Sequence, residues 1–205
     1  TLSGQSPETP RTDIQQVEDR ASDEESSRNL TAEGLPTSRP VVAIPRLDAA
    51  PSLEDFLNMA PAGPVAQKMA MVTGFIQQEP EDGQPASQKT EVYLGYDDLN
   101  LYAVFVAFDD EPEKIRANMT RREQVFGDET VEIQLDTFLD ERNAFSFLTN
   151  PFGIQWDAIW TVGQRFESSW DTIWKSRGQL TGRGYVVWMA IPFKSLRFSP
   201  ESRQQ

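Results

Sequence analysis

Between residues 128 and 160 apolar and polar side chains alternate in three successive runs, the period of strands with one buried face. In the first run Val131, Ile133 and Leu135 face one side while Glu132, Gln134 and Asp136 face the other. A slip of one residue would bury the two carboxylates, so the register is fixed. The second run presents Phe145 and Phe147, and the third Ile154, Trp156, Ala158 and Trp160. Asn150-Pro151-Phe152-Gly153 joins them, with Asn first, Pro second and Gly fourth, as a type I turn favours. The block predicts the centre of a sheet and assigns Trp156 and Trp160 to core or inter-sheet packing.

The same reading extends to the flanking chain. Pro51-Ser52-Leu53-Glu54-Asp55-Phe56-Leu57 predicts a short helix capped by Ser52, with Asp55 closing a capping box and Phe56 and Leu57 sealing one end of the core. Met69, Met71, Val72, Phe75 and Ile76 suit an edge strand, followed by a turn at 79–83. Val92, Leu94 and Tyr96 open a hairpin that turns at Asp97-Asp98-Leu99-Asn100. Its return, 101–108, is nearly all apolar and predicts a strand buried on both faces. Pro112 then starts a short turn of helix. A last hairpin spans 179–193, turning at Thr181-Gly182-Arg183-Gly184 and stopping at Pro192. Its Trp188 is assigned to packing, and Leu196 and Phe198 tuck in afterwards. Eight or more strands with short turns and little helix predict an all-β fold, a two-sheet antiparallel β-sandwich with jelly-roll or immunoglobulin-like layers.

Residues 1–40 hold no aromatic side chain and no sustained period, which predicts a disordered acidic and polar tail or linker. The sandwich is expected over 41–200, and 201–205 form a truncated polar tail.

Composition narrows the chemistry. The 205 residues include no His and no Cys, which excludes Ser-His-Asp and Cys-His nucleophiles, thiol redox chemistry and Cys or His zinc sites within this chain. A formal charge of −13 disfavours nucleic acid and anionic membranes as partners, leaving a neutral polar ligand or a hard cation. No apolar run is long enough to cross a bilayer, so direct membrane insertion is not expected.

An ordered series of motifs points further. It runs from Thr90-Glu91-Val92 through Tyr96-Asp97-Asp98, Leu101-Tyr102 and Arg121-Arg122-Glu123 to Asp128-Glu129-Thr130-Val131-Glu132-Ile133 with Leu135-Asp136-Thr137. Asn150-Pro151-Phe152-Gly153 with Asp157 follows, then Gly184-Tyr185, Ala190-Ile191-Pro192-Phe193 and Leu196-Arg197-Phe198. From about residue 41 to 200 the chain resembles the family 9 carbohydrate-binding module, in the version that precedes a large outer-membrane β-barrel in bacterial proteins. The resemblance implies a non-catalytic domain that binds an oligo- or polysaccharide by tryptophan stacking. It also implies an extracytoplasmic setting (periplasmic, outer-membrane associated or secreted) and an attached C-terminal region. Two departures stand out. Ala50-Pro51-Ser52-Leu53-Glu54-Asp55-Phe56 replaces the family's Asp-Gly-x-Leu-Asp-Glu opening, and Trp188 occupies a position where the family commonly has Glu. The family's final strand is also missing, which predicts a fragment with an unpaired edge.

Sugar recognition needs a flat apolar face for the C–H side of a pyranose and planar polar groups for its hydroxyls. Trp170 and Trp174, four apart in a segment of Ser, Asp, Thr and Lys, are the candidate stacking faces. Arg122, Asn150, Gln155 and Asp157 are the candidate hydrogen-bonding partners, although turn formation alone explains Asn150. Among the carboxylates at strand ends, Asp136 and Asp140 are the pair expected to share a calcium ion. Two alternatives stay open: a structural or protein-interaction sandwich without a sugar site, and a glycoside hydrolase working through two carboxylates.

Overall fold

The computed structural model describes residues 41–164 and 166–198. The tails expected at 1–40 and 201–205 lie outside the described residues. Eight strands form two antiparallel sheets among them. The larger sheet has the order β1 (Ala70–Val72), β2 (Thr90–Tyr96), β3 (Asn100–Phe108), β8 (Gly184–Pro192) and β7 (Lys175–Thr181). The smaller runs β4 (Val131–Leu135), β5 (Asn143–Thr149), β6 (Gln155–Thr161). The apolar run at 101–108 becomes the central strand β3, buried on both faces between β2 and β8, and β1 is the expected edge. No helix among the described residues is long and apolar enough to cross a membrane.

The two faces of the larger sheet serve different cores. One face contributes Val92, Leu101, Phe105, Val187, Met189 and Ile191, which meet Val131, Phe145 and Phe147 of the smaller sheet. The other face, with Tyr93, Tyr102, Val104, Val106 and Val186, is roofed by Leu47, Leu53, Phe56, Met59, Ala66 and Met69. This roof contains a 3₁₀ turn, Leu53–Phe56, and a short helix α1, Gly63–Lys68. The Ser52/Asp55 capping box forms as expected. A cap is worth about 1 kcal/mol, whereas full burial of a side chain such as Phe56 is worth roughly 1.5–3 kcal/mol. Packing, more than the cap, therefore holds this segment down. Phe56 and Leu57 do not seal an end of the inter-sheet core; they belong to the layer covering the far side of the sheet. α1 has no apolar period of its own, and only Pro64 in its first turn signals it.

Trp188 and Trp156 pack against apolar neighbours as expected, but outside the space between the two sheets. Trp188 is half-buried under the roof, where its indole Nε1 donates to Pro51 O at 2.9 Å and its ring lies 6.2 Å from that of Tyr102. Trp156, Ala158 and Trp160 do share one face of β6, with Ile154 just before the strand, but that face looks outward. There Trp156 and Ala158 pack with Val125 and Leu148 in a small separate cluster. The register decides this: Phe147 opposes Asp157 and Phe145 opposes Ile159, so the inward positions of β6 are Asp157 and Ile159. An inward carboxylate is tolerated because it is fully paired, as described under the site.

Asn150-Pro151-Phe152-Gly153 forms the expected turn, closed by Gly153 N donating to Asn150 O at 2.8 Å, with Gly153 at φ +81°. The turn presses against β7 of the other sheet. A Cβ on Gly178 would lie 2.3 Å from Pro151 O, so only glycine permits the approach. Ser176 Oγ donates to Gly153 O at 2.7 Å beside it, fastening the two sheets together.

Candidate functional site

A cavity of about 420 Å³ opens between the β4–β5 loop, β5, β6, Trp170 and Arg197. Its size falls within the roughly 300–1,000 Å³ of small-molecule sites. The loop at 136–142 builds one wall by bonding to itself. Asp136 accepts backbone N–H bonds from Phe138 at 3.1 Å, Asp140 at 3.4 Å and Glu141 at 2.8 Å. Asp140 accepts from the backbone of Arg142 at 2.7 Å, the backbone of Asn143 at 3.0 Å and Asn143 Nδ2 at 3.1 Å. Those bonds, led by the Arg142 N–H, lower the Asp140 pKa, so its carboxylate stays charged. The result is a tight loop that holds the Phe138 ring at the rim, 42 % exposed.

The opposite wall is Trp170, partly buried, its ring 5.0 Å from Phe145 and 5.9 Å from Phe147. Polar groups converge on the space between. Asn143 is fixed by accepting from Thr161 Oγ1 at 3.0 Å. Arg197 also lines the cavity, and its guanidinium makes no hydrogen bond or ion pair with another described residue. An aromatic wall facing a planar cation, an amide and a carboxylate can hold a polyol whose C–H side lies on the ring.

The expected site residues fall into separate places. Trp170 and Asp140 line the cavity. Trp174 does not: it is 4 % exposed, edge-on to Phe147 at 5.3 Å, and its Nε1 donates to Asp157 Oδ1 at 3.2 Å. Asp157, 3 % exposed, also accepts from Thr172 N at 2.9 Å and pairs with Arg122. Arg122 further donates to Thr172 O at 2.9 Å and pairs with Asp171 at 2.7 Å, while Gln155 Nε2 donates to Trp174 O at 3.1 Å. Arg122, Gln155, Asp157 and Trp174 thus form one internal brace that sets the path of 170–174. Through that path it sets where Trp170 stands. Asn150, fully buried, spends its amide on Asn118 O and Asp128 Oδ2, both at 2.9 Å, and its Oδ1 on the N–H groups of Phe152 and Ile154.

Asp136 and Asp140 sit in one loop with their oxygens turned to its backbone N–H groups. Among the described residues no group of three or more acidic side chains is arranged to hold a metal. Sequence reasoning missed Phe138, Asn143 and Arg197. Phe138 was signalled by an aromatic among acidic turn residues, and Arg197 by its place in Leu196-Arg197-Phe198.

No family model matches the chain, and no curated protein matches it. Two solved structures are similar. One is a protein of Bacteroides uniformis ATCC 8492, provisionally described as carbohydrate-binding. It has a TM-score of 0.54 and 13 % identity over 75 % of this chain and 73 % of that one. The other is a family 9 carbohydrate-binding module from Caldicellulosiruptor kristjanssonii in complex with cellotriose. It has a TM-score of 0.43 and 14 % identity over 73 % of this chain and 66 % of that one. The first likeness carries the fold.

Proposed function

We propose that this domain is a non-catalytic carbohydrate-binding module that takes a saccharide in the cavity between Trp170, Phe138 and Arg197. The observation that carries the reading is the half-buried Trp170 lining one cavity together with three polar side chains, Asp140, Asn143 and Arg197. The named role of the Bacteroides uniformis protein, which shares the fold, supports it. Binding through C–H stacking and neutral hydroxyls is consistent with a chain of charge −13, since neither depends on attracting an anion. An extracytoplasmic setting and an attached C-terminal region belong to the same proposal, as the places where a non-catalytic sugar binder is useful.

A protein-interaction sandwich is the alternative that the substitution of Trp188 for the family's Glu would favour. Trp188 is bonded to Pro51 under the roof, on the side of the larger sheet away from the cavity, so its identity leaves the cavity unchanged. Isothermal titration of the full chain against soluble cello-, xylo- and manno-oligosaccharides tests the proposal. Saturable binding that Trp170→Ala abolishes supports it. No heat with any of them, from a protein whose circular dichroism shows the folded sheet, refutes it for these glycans and turns attention to the interaction reading.

A further inference from the structure

The outward face of the smaller sheet carries a second cavity, of about 380 Å³, which the sugar reading does not use. Three aromatic rings line it. Phe126 lies 5.5 Å from Trp156 at an interplanar angle of 77°, and Phe166 lies 5.3 Å from the same indole at 74°. Both phenyl rings therefore stand nearly upright to the indole, as the sides of a box. They are kept at the surface, Phe126 at 72 % and Phe166 at 42 % exposure, although the neighbouring Val125 is wholly buried.

The polar groups of the box are the Glu132 carboxylate and Ser168. Glu132 Oε1 accepts from Gln134 Nε2 at 2.9 Å and from Ser146 Oγ, and its charge is matched by no ion pair with another described residue. Among the described residues no Lys or Arg lines the cavity.

We propose that this cavity binds a small organic cation carrying an alkylated ammonium group. Aromatic faces attract a cation through their quadrupoles, and an alkylated ammonium gains most because it is weakly hydrated and fits against several rings at once. Glu132 supplies the counter-charge, and the overall charge of −13 raises the local concentration of any cation. The other ligand classes fit less well. An anion meets Glu132, a sugar finds too few hydrogen-bonding partners, and a hard metal ion needs several oxygen ligands where one carboxylate is present.

The test uses choline and its uncharged isostere 3,3-dimethylbutan-1-ol, titrated into the full-length chain and followed by ¹H–¹⁵N correlation spectra. The proposal expects choline to shift the amides around Phe126, Leu148 and Phe166 saturably, and the isostere to bind about tenfold more weakly. Phe126→Ala and Glu132→Gln, both at exposed positions, should each weaken choline several-fold with the rest of the spectrum intact. Equal binding of the isostere, or choline binding unaffected by both variants, would overturn the assignment, as would shifts confined to Trp170 and its cavity. Failure of sugar binding leaves it standing, because the two cavities share no residue.

Discussion

Asp157 shows how one side chain ties a site to the scaffold. Its carboxylate collects the Arg122 guanidinium, the Thr172 amide and the Trp174 indole in a nearly closed space. Replacing it by Ala leaves two of those donors without an acceptor, at about 1–3 kcal/mol for each buried orphan. Arg122→Ala is expected to cost less, because Asp157 keeps two donors and Arg122 is itself 38 % exposed. Urea unfolding of the two variants should rank them in that order. The neighbouring tryptophans separate in the same experiment. Trp174→Ala should lose about 3–5 kcal/mol, the cost of emptying a core position, whereas Trp170→Ala should cost less stability and show its main effect in sugar affinity. The sequence made these residues candidates by type and could not rank them. Trp170 and Trp174 look alike in a polar segment; only the path of 170–174 turns one ring inward. The alternation in β6 likewise identified Trp156 and Trp160 as face-mates without saying that their face looks outward. That depended on Asp157 finding three partners distant in sequence.

At the scale of elements, the legible parts were those with a strong local period. The 92–108 hairpin, β4, β5 and the 150–153 turn all form as read, because each carries its own alternation or turn residues. Of the roof over the larger sheet, only the capped turn after Ser52 was legible. Leu47, Leu53, Phe56, Met59, Ala66 and Met69 follow no single period, since they lie on a loop, a 3₁₀ turn and one short helix, and only the sheet beneath makes them a layer. The contact of Gly178 with the 150–153 turn was hidden as well, because a glycine inside a strand does not announce what approaches it. Gly178→Ala should therefore push Pro151 away from β7 and destabilise the fold by about 1–3 kcal/mol. A thermal melt would register this, and an unchanged melting temperature would show that the turn yields freely.

For the whole molecule, the titrating groups set the pH range of stability. Hydrogen bonds from Arg177 and then Ser52 pull the Glu54 pKa down to about 2, and those from Ser169 lower that of Glu167, as Arg142 and Asn143 lower that of Asp140. Each lowered carboxylate contributes stability that is complete above its unfolded value, roughly pH 4, and is lost as the pH falls through the folded value. All three are exposed, so solvent screening keeps each contribution small. Burial first, and Asp97 second, push the Tyr102 pKa up to about 12. Its contribution is complete below about pH 10 and is lost above it. The chain has no His, the side chain whose charge ordinarily changes near neutrality. The melting temperature should be flat between roughly pH 5 and 9 and fall on both sides. A step near pH 6.5 in a scan of melting temperature against pH would contradict this.

The larger sheet is covered on both faces, the smaller one fully on its inner face and on its outer face only by the small cluster around Val125 and Trp156, and both cavities lie against the smaller sheet. The two halves should therefore breathe unequally. Amides of β3, flanked by β2 and β8 beneath the roof, would exchange with solvent only on global opening, while those of β4–β6 would exchange through partial openings of lower free energy. Any ligand that settles in either cavity closes those partial openings first. Occupancy would then be written in the deuterium uptake of the smaller sheet, while β3 stayed silent as the internal standard.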